Sequence, residues 1–497
     1  MLSALRSLVA SSLVRRDELP DGEVRLVLLR TIREFALEAL AAGGEALATR
    51  RAHAAYVLAL AEQAAPHVQG AAQALWLRRL ETEHDNLRAA LRWLADAGEA
   101  ERGLRVSNAL LWFWFNRGHW REGRAWLERF LEAAEDRPRG DAPGAAAGTA
   151  GDAGAQPLRQ RARALFGAGW LAAWPDGHSI ARERYAASLA AAARAGDRQT
   201  VGWARYGLGT LAAFAGAYAA AATEYRASLA LFREADDRWG TNFVLCWLGS
   251  DAGDQGHDRA AGAYYEDALA EARRAGNRIG VARGLLGLGK LAWHAGRYAE
   301  ARRLLEESLA IRHEVGDRQA TALVLKGLGR TCRDLGELAA AWAWLEQGLE
   351  LTRELEGGQA SANQAELLHL LGDVARRRGE GQRAAARYAG GLELFGRLGD
   401  ALGTALCLVG LAALAVEAAP PQAERAARLA AVAAVLQGAP AAGKQHAPRE
   451  LRAEYDRAAG AVRAALAGDA RAQTALREAR ALAPAQAMRW AVEHGTT

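Results

Sequence analysis

The sequence predicts an all-α chain, a solenoid of stacked helix pairs, on three observations. Glycine returns at a near-fixed interval (Gly169, Gly209, Gly249, Gly289, Gly329 and Gly372), 40 residues apart over the first five and 43 at the last step. A period of this size marks a helical repeat array. Other columns keep the same register: an alanine twelve residues on (Ala181, Ala221, Ala261, Ala301, Ala341, Ala384) and a leucine twenty on (Leu189, Leu229, Leu269, Leu309, Leu349, Leu392). Alanine, leucine and arginine dominate, with only 11 prolines in 497 residues, a composition that suits helices and not sheet.

In chain order, residues 1–40 read as helix, hairpin, helix. Leu2 to Val14 is amphipathic, Pro20-Asp21-Gly22 is a turn between two β-prone runs, and Thr31 with Glu34 forms a capping-box pattern opening the next helix. This looks like the closing half of a winged helix. Residues 41–135 read as helical, with degenerate repeats: Gly118, Leu127 and Leu131 copy a turn-to-helix spacing seen later. Residues 136–157, rich in Gly, Ala, Pro and Asp without periodicity, read as a flexible linker. Residues 158–400 hold six repeats of about 40 residues. Residues 401–497 form a helical repeat and cap, with Arg449 to Leu466 an amphipathic helix suited to closing the open end of a solenoid.

Each repeat has the marks of a packed helical hairpin. Sixteen residues after the motif glycine stand Tyr185, Tyr225, Tyr265, Leu305, Leu345 and Tyr388. Glycine inside a helix costs about 1 kcal/mol against alanine, so its recurrence implies close approach of a neighbouring helix. Gly216, Gly256, Gly296 and Gly336 mark the turn inside each pair. Gly196-Asp197, Asp237, Gly276-Asn277, Gly316-Asp317 and Gly399-Asp400 close each unit, with the glycine as left-handed cap and the Asp or Asn as N-cap of the next helix.

Leu-Gly, then alanine twelve on, an aromatic sixteen on and a small residue nineteen on (Ser188, Ser228, Ala268, Ser308, Gly348, Gly391) resembles the tetratricopeptide pattern, with a period of 40 in place of 34. The resemblance implies a right-handed superhelix. Three further strings, SLV…LLRTIREFALEAL near the start, ETEHDNLRAALRWL at 81–94 and LWFWFNRGHWREGRAWLERFLE at 111–132, are similar in order to bacterial predicted ATPases and LuxR/MalT-like regulators. That family joins an NB-ARC-type nucleotide switch to a winged helix and a tetratricopeptide array. The resemblance covers the family's distal half. Its ATPase module is expected before residue 1, so the chain reads as a natural remnant, a split gene or a mis-called start.

Charge and motifs exclude several function classes. A net charge of +5 is small for this length, so nucleic acid is not an expected partner of this chain alone. Cys246, Cys332 and Cys407 are isolated in apolar stretches, as in reduced cytoplasmic proteins. No run is long and apolar enough to expect a membrane span. No GxxxxGK[ST] occurs, and Gly284–Lys290 lies in a helix whose amides are already bonded. Gly177-His178-Ser179 lacks the strand of a nucleophile elbow, and His313-Glu314 lacks the second histidine of a zinc motif. No catalytic residue, cofactor or metal is expected.

In tetratricopeptide arrays the first helix of each pair lines the concave face. Carried onto this sequence, those positions are Phe166, Trp170, Trp174, Trp203, Tyr206, Phe214 and Phe243, then Lys290, Trp293, His294, Lys326, Arg330, Arg333, Arg376 and Arg377. The expected groove is aromatic at its start and basic toward its end. It should take a protein segment or small effector with an apolar and an acidic part. The expected role is the sensor or scaffold arm of a signalling ATPase or transcription regulator, with an NB-ARC-type ATPase as a possible partner. The alternative is a DNA-binding regulator using residues 1–40.

Overall fold

A computed structural model describes residues 2–18, 24–135, 155–173, 177–356, 361–438 and 449–494. Helix α1 (Leu2–Ala10) leads into an antiparallel hairpin of β1 (Val14–Glu18) and β2 (Val24–Leu28), with Val14 opposite Leu28, followed by α2 (Arg30–Ala42). The Pro20-Asp21-Gly22 turn lies outside the described residues. The capping box expected at Thr31 does not form. The helix starts earlier, with Leu29 at the N-cap and no side-chain cap bond, and Glu34 pairs with Arg30 at 3.0 Å. No described residue of α2 is buried, and Phe35 is 70% exposed.

Five helices follow: α3 (Ala46–His67), α4 (Gln73–Thr82), α5 (His84–Asp96), α6 (Ala100–Arg117) and α7 (Trp120–Glu135). Helices α6 and α7 form a hairpin with the repeat's geometry. Gly118 takes the left-handed conformation at the turn, and Leu127, Phe130 and Leu131 are buried. Most of the expected linker, 136–154, is outside the described residues. Its last three residues belong to a helix, since α8 (Ala155–Ala173) already includes Pro157, in the first turn where proline's missing N–H costs nothing.

The array then runs in pairs: α8 with α9 (His178–Arg194), α10 (Arg198–Phe214) with α11 (Tyr218–Glu234), α12 (Arg238–Asp254) with α13 (Asp258–Arg274), and α14 (Arg278–His294) with α15 (Tyr298–Val315). It continues with α16 (Arg318–Leu335) and α17 (Leu338–Glu356), α18 (Ala362–Arg377) and α19 (Gly381–Leu398), and α20 (Ala401–Glu417) and α21 (Ala423–Gln437). The caps expected between units are present. The side chains of Asp197, Asp237, Asn277, Asp317 and Asp400 each accept an N–H three residues on, at 2.8–3.2 Å. Asp236 stands where the other units place glycine, and takes the left-handed turn at φ 49°.

The motif glycine makes room for a ring. A Cβ on Gly249 would meet the Tyr265 ring at 2.9 Å, and one on Gly287, in the next unit, would meet the same ring at 2.2 Å. The residue sixteen positions after the glycine is thus clasped between its own first helix and that of its successor. This contact, more than helix-on-helix backbone approach, is what the expected small column accommodates. The small residue nineteen on supplies a second clasp. Ser188, Ser228 and Ser308 donate to the carbonyls of Ala162, Gly202 and Ala282 at 2.7–2.8 Å. In the third unit Ala268 has no hydroxyl, and the bond is reversed, with Asn242 donating to the Ala268 carbonyl at 2.8 Å.

Three helices finish the chain: α22 (Arg449–Ala465), α23 (Ala470–Arg480) and α24 (Pro484–His494). Helices α23 and α24 pack on α21 and cover the end of the array. Helix α22, expected to do this, packs mainly on α20, burying Leu451, Tyr455, Ala459 and Val462 along its length, while the charged face of its first turns meets the groove wall. At the other end the superhelix curls until its start meets its middle. Gln73 accepts from the Ile279 N–H at 3.1 Å, and Arg117 donates to the Gly316 carbonyl at 2.9 Å.

Candidate partner-binding groove

The first helices of successive pairs present their side chains to the concave wall, and the wall divides in two. In the aromatic half, Phe166, Trp170, Trp203, Tyr206 and Phe243 are all buried. The cover comes from Trp112 on α6, whose ring centroid lies 5.1 Å from Trp203, 5.3 Å from Phe243, 5.7 Å from Trp239 and 6.1 Å from Trp170. Arg283 stacks on Phe243 at 3.8 Å. These aromatics were expected to face an open groove; they form a dry core, because the curled superhelix brings α6 against them. Phe214 is half-buried between His178 and Trp247. Trp174 lies outside the described residues.

In the basic half the cations face the acidic residues of α22. Lys290 Nζ is 3.3 Å from Glu450, and Arg330 and Arg333 converge on Glu454 at 3.1 and 2.8 Å. Glu450 and Glu454 are four residues apart on one helix face; Lys290 and Arg330 are one repeat apart on the wall. Trp293 is flanked by two guanidinium groups, Arg330 at 5.2 Å and Arg457 of α22 at 5.3 Å. Arg449 and Arg452 donate to the carbonyls of Gly253 and Asp254 at the C-terminal end of α12, where cations are favoured, and Arg449 also pairs with Asp258.

Other cations of this half are paired within the wall. Lys326 meets Glu366 at 2.5 Å, and Arg333 also reaches Asp334 and Asp373 at 3.0 and 2.8 Å. Arg377 donates to the Arg333 carbonyl at 3.0 Å, and Arg376 pairs with Glu417 at 2.6 Å. Arg330 and Arg333 are buried, whereas half of the Lys290 side chain is exposed.

Burial by itself would raise the Glu450 and Glu454 carboxyls. Lys290 and Arg330 hold Glu450 far below its ordinary range, and Arg330 and Arg333 lower Glu454. Against the same burial, His369 and Arg333 hold Asp373 at about 2. Asp251 on α12 goes the other way. Burial first, then Asp254, push it to about 7, and its Oδ2 has no hydrogen-bond partner among the described residues.

The residues that sequence reasoning missed are those that fill the groove: Trp112, Trp239, Glu450 and Glu454. A legible signal existed only for the last two, as carboxylates four apart on the face of an amphipathic helix. Elsewhere, Glu81, His84 and His119 come close enough to suggest a metal site. Each carboxylate there already carries an arginine, Glu81 with Arg117 at 3.7 Å and Glu122, the partner of His84, with Arg88 at 2.6 Å. Those charges disfavour a dication, and the cluster serves to hold α4 and α5 to the α6–α7 turn. No described helix is long and apolar enough to cross a membrane.

Known proteins share parts of this chain. A tetratricopeptide repeat model matches residues 241–312 and 281–354. Proteins named as HTH-type transcriptional regulators from Mycobacterium bovis and Mycobacterium tuberculosis are 40% identical over 132 residues, 27% of this chain and 15% of theirs. The chain therefore matches only a small part of those relatives' length. Among solved structures, a STAND protein with a tetratricopeptide repeat sensor from Pyrococcus horikoshii is 12% identical, covering 72% of this chain and 52% of that one at a TM-score of 0.45. The quorum sensor NprR from B. thuringiensis, in its apo form, is 15% identical over 65% of this chain and 86% of its own at 0.44. Aspartyl phosphate phosphatase F from Bacillus subtilis is 10% identical over 78% and 94% at 0.42. Likenesses this loose carry nothing about activity.

Proposed function

We propose that this chain is the partner-recognition arm of a bacterial signalling ATPase or transcriptional regulator, cytoplasmic and without catalysis of its own. It takes a protein segment on its inner wall, at the basic half. The observation that carries this reading is the spacing of Lys290 and Arg330, one repeat apart, against two carboxylates one helical turn apart. A wall built this way reads an acidic helix by geometry as well as by charge. The aromatic residues first assigned to the groove are not part of the proposed surface, because Trp112 covers them. The hairpin and α2, with Leu28, Leu29 and Phe35 exposed, are proposed to dock an NB-ARC-type nucleotide switch.

The test compares the intact protein with a Lys290→Ser/Arg377→Ser variant as bait in cells of the source organism. Both positions are part-exposed, unlike Arg330 and Arg333, so the fold should persist. A protein held by the parent and lost from the variant is the expected result. Identical captured sets would reject the assignment. DNA binding through residues 1–40 predicts instead a salt-steep affinity for duplex DNA that the variant leaves intact.

A further inference from the structure

We infer that α22 is an internal ligand: it occupies the site at which the chain binds an acidic amphipathic helix of another protein, and the two compete. The inference rests on the groove reading above and adds the class of partner and its control.

Four features of α22 support this. Its contacts with the wall repeat the logic expected of a bound peptide: Glu450 at Lys290, Glu454 at Arg330 and Arg333, Arg457 on Trp293, Arg449 and Arg452 on the end of α12. They come from residues 449–457, about two and a half helical turns, so a short foreign helix could make them all. Second, the contacts are mainly ionic. A buried ion pair contributes little net stability because desolvation offsets attraction. Exchanging it for another pair of the same geometry requires no new desolvation of the wall.

Third, the fit is incomplete. Neither ring nitrogen of His369 nearby has a hydrogen-bond partner among the described residues. A ligand that satisfied them would hold more tightly than α22 does. Fourth, α22 is not needed to close the array, whose end is already covered by α23 and α24; its apolar stripe, Leu451, Tyr455, Ala459 and Val462, seats it on the last repeat and leaves Glu450 and Glu454 on the face that meets the groove wall.

The recognised segment is therefore a helix with the pattern Glu-Leu-x-x-Glu-Tyr, as in Glu450-Leu451 and Glu454-Tyr455. As part of the same chain, α22 competes at an effective concentration on the order of mM. Partners of modest affinity are excluded until α22 lets go.

The experiment uses the full chain and a fluorescein-labelled peptide of residues 449–465, read by anisotropy. The parent should bind it weakly. A Glu450→Gln/Glu454→Gln variant, in which α22 loses both charges, should bind it at least ten-fold more tightly. A peptide carrying the same two Gln changes should bind neither form, and adding Lys290→Glu to the variant should abolish the gain. Because uncovering Arg330 and Arg333 could loosen the fold, hydrogen exchange on the unmodified parent gives a second readout: saturating peptide should accelerate exchange in 449–465. Equal affinity of parent and variant would overturn the internal ligand and leave the groove reading standing. Unaltered exchange in 449–465 under saturating peptide would overturn it as well. Loss of the Lys290 dependence alone would reject the groove reading.

Discussion

The two halves of the inner wall are both filled by the chain's own helices, in opposite ways. Trp112 closes the first half by apolar packing among Trp170, Trp203, Trp239 and Phe243. Helix α22 closes the second half by matching Glu450 and Glu454 to Lys290, Arg330 and Arg333. Apolar burial is gained only while water stays out, at about 25 cal/mol per Å². Charge matching gains little net free energy but demands a particular geometry. One half therefore holds the superhelix together, and the other is suited to exchange.

The largest effect that could break this contrast is expected in the aromatic half. Trp112→Ala should destabilise the protein by about 3–5 kcal/mol in denaturant unfolding, without raising affinity for an acidic peptide. A loss under about 1 kcal/mol would mean that the aromatic cover is not structural. The next effect is in the basic half. Glu454→Ala should cost about 3 kcal/mol, because Arg330 and Arg333 lose their shared partner while buried. Replacing Arg330 as well, by Met, should recover part of that cost, and a double-mutant cycle measures the coupling. Strict additivity would show that the ion pairs are incidental.

A smaller effect sharpens the comparison through pH. Asp251, on the α12 wall near α22, titrates at about 7 when folded, above its ordinary 3.8. The folded state therefore holds a proton that the unfolded chain has released. Stability falls as pH rises from about 4 to about 7, and the cost of burying the charge persists above that. Asp251→Asn should stabilise the protein by about 2 kcal/mol at pH 8 and scarcely at pH 4. Asp373, held at about 2, has the opposite sign. Its contribution is present above about pH 4 and is lost as pH falls through about 2. An Asp251→Asn variant equally stabilised at both pH values would show that the carboxyl does not change charge with folding.

Much of the array was legible residue by residue. The caps at Asp197, Asp237, Asn277, Asp317 and Asp400, and the left-handed turns at Gly216, Gly256, Gly296 and Gly336, involve atoms within a few positions in the chain. Local stereochemistry dictates them. The capping box at Thr31 failed although its letters were right, because the helix began two residues earlier and moved the cap to Leu29. The motif glycine was correctly read as a close approach, but the approaching group, the ring sixteen residues on, depends on how far the second helix slides along the first. Asn242 shows the same limit. Its bond to Ala268 replaces a serine's, and only the pairing of the two helices reveals that the donor has changed sides.

The groove was the part least open to sequence reasoning. Its wall residues could be assigned from periodicity, since each sits at a fixed register in a repeat. Whether they meet solvent could not. The period in the sequence determined the helices, their turns and the order in which they stack, all set by contacts within one unit or between neighbours. Tertiary structure alone decided that the groove is full. That outcome depends on the small rotation between successive units, which accumulates until α6 meets Phe243, and on two glutamates meeting cations more than 120 residues earlier in the chain. Neither quantity is local, so neither leaves a periodic mark.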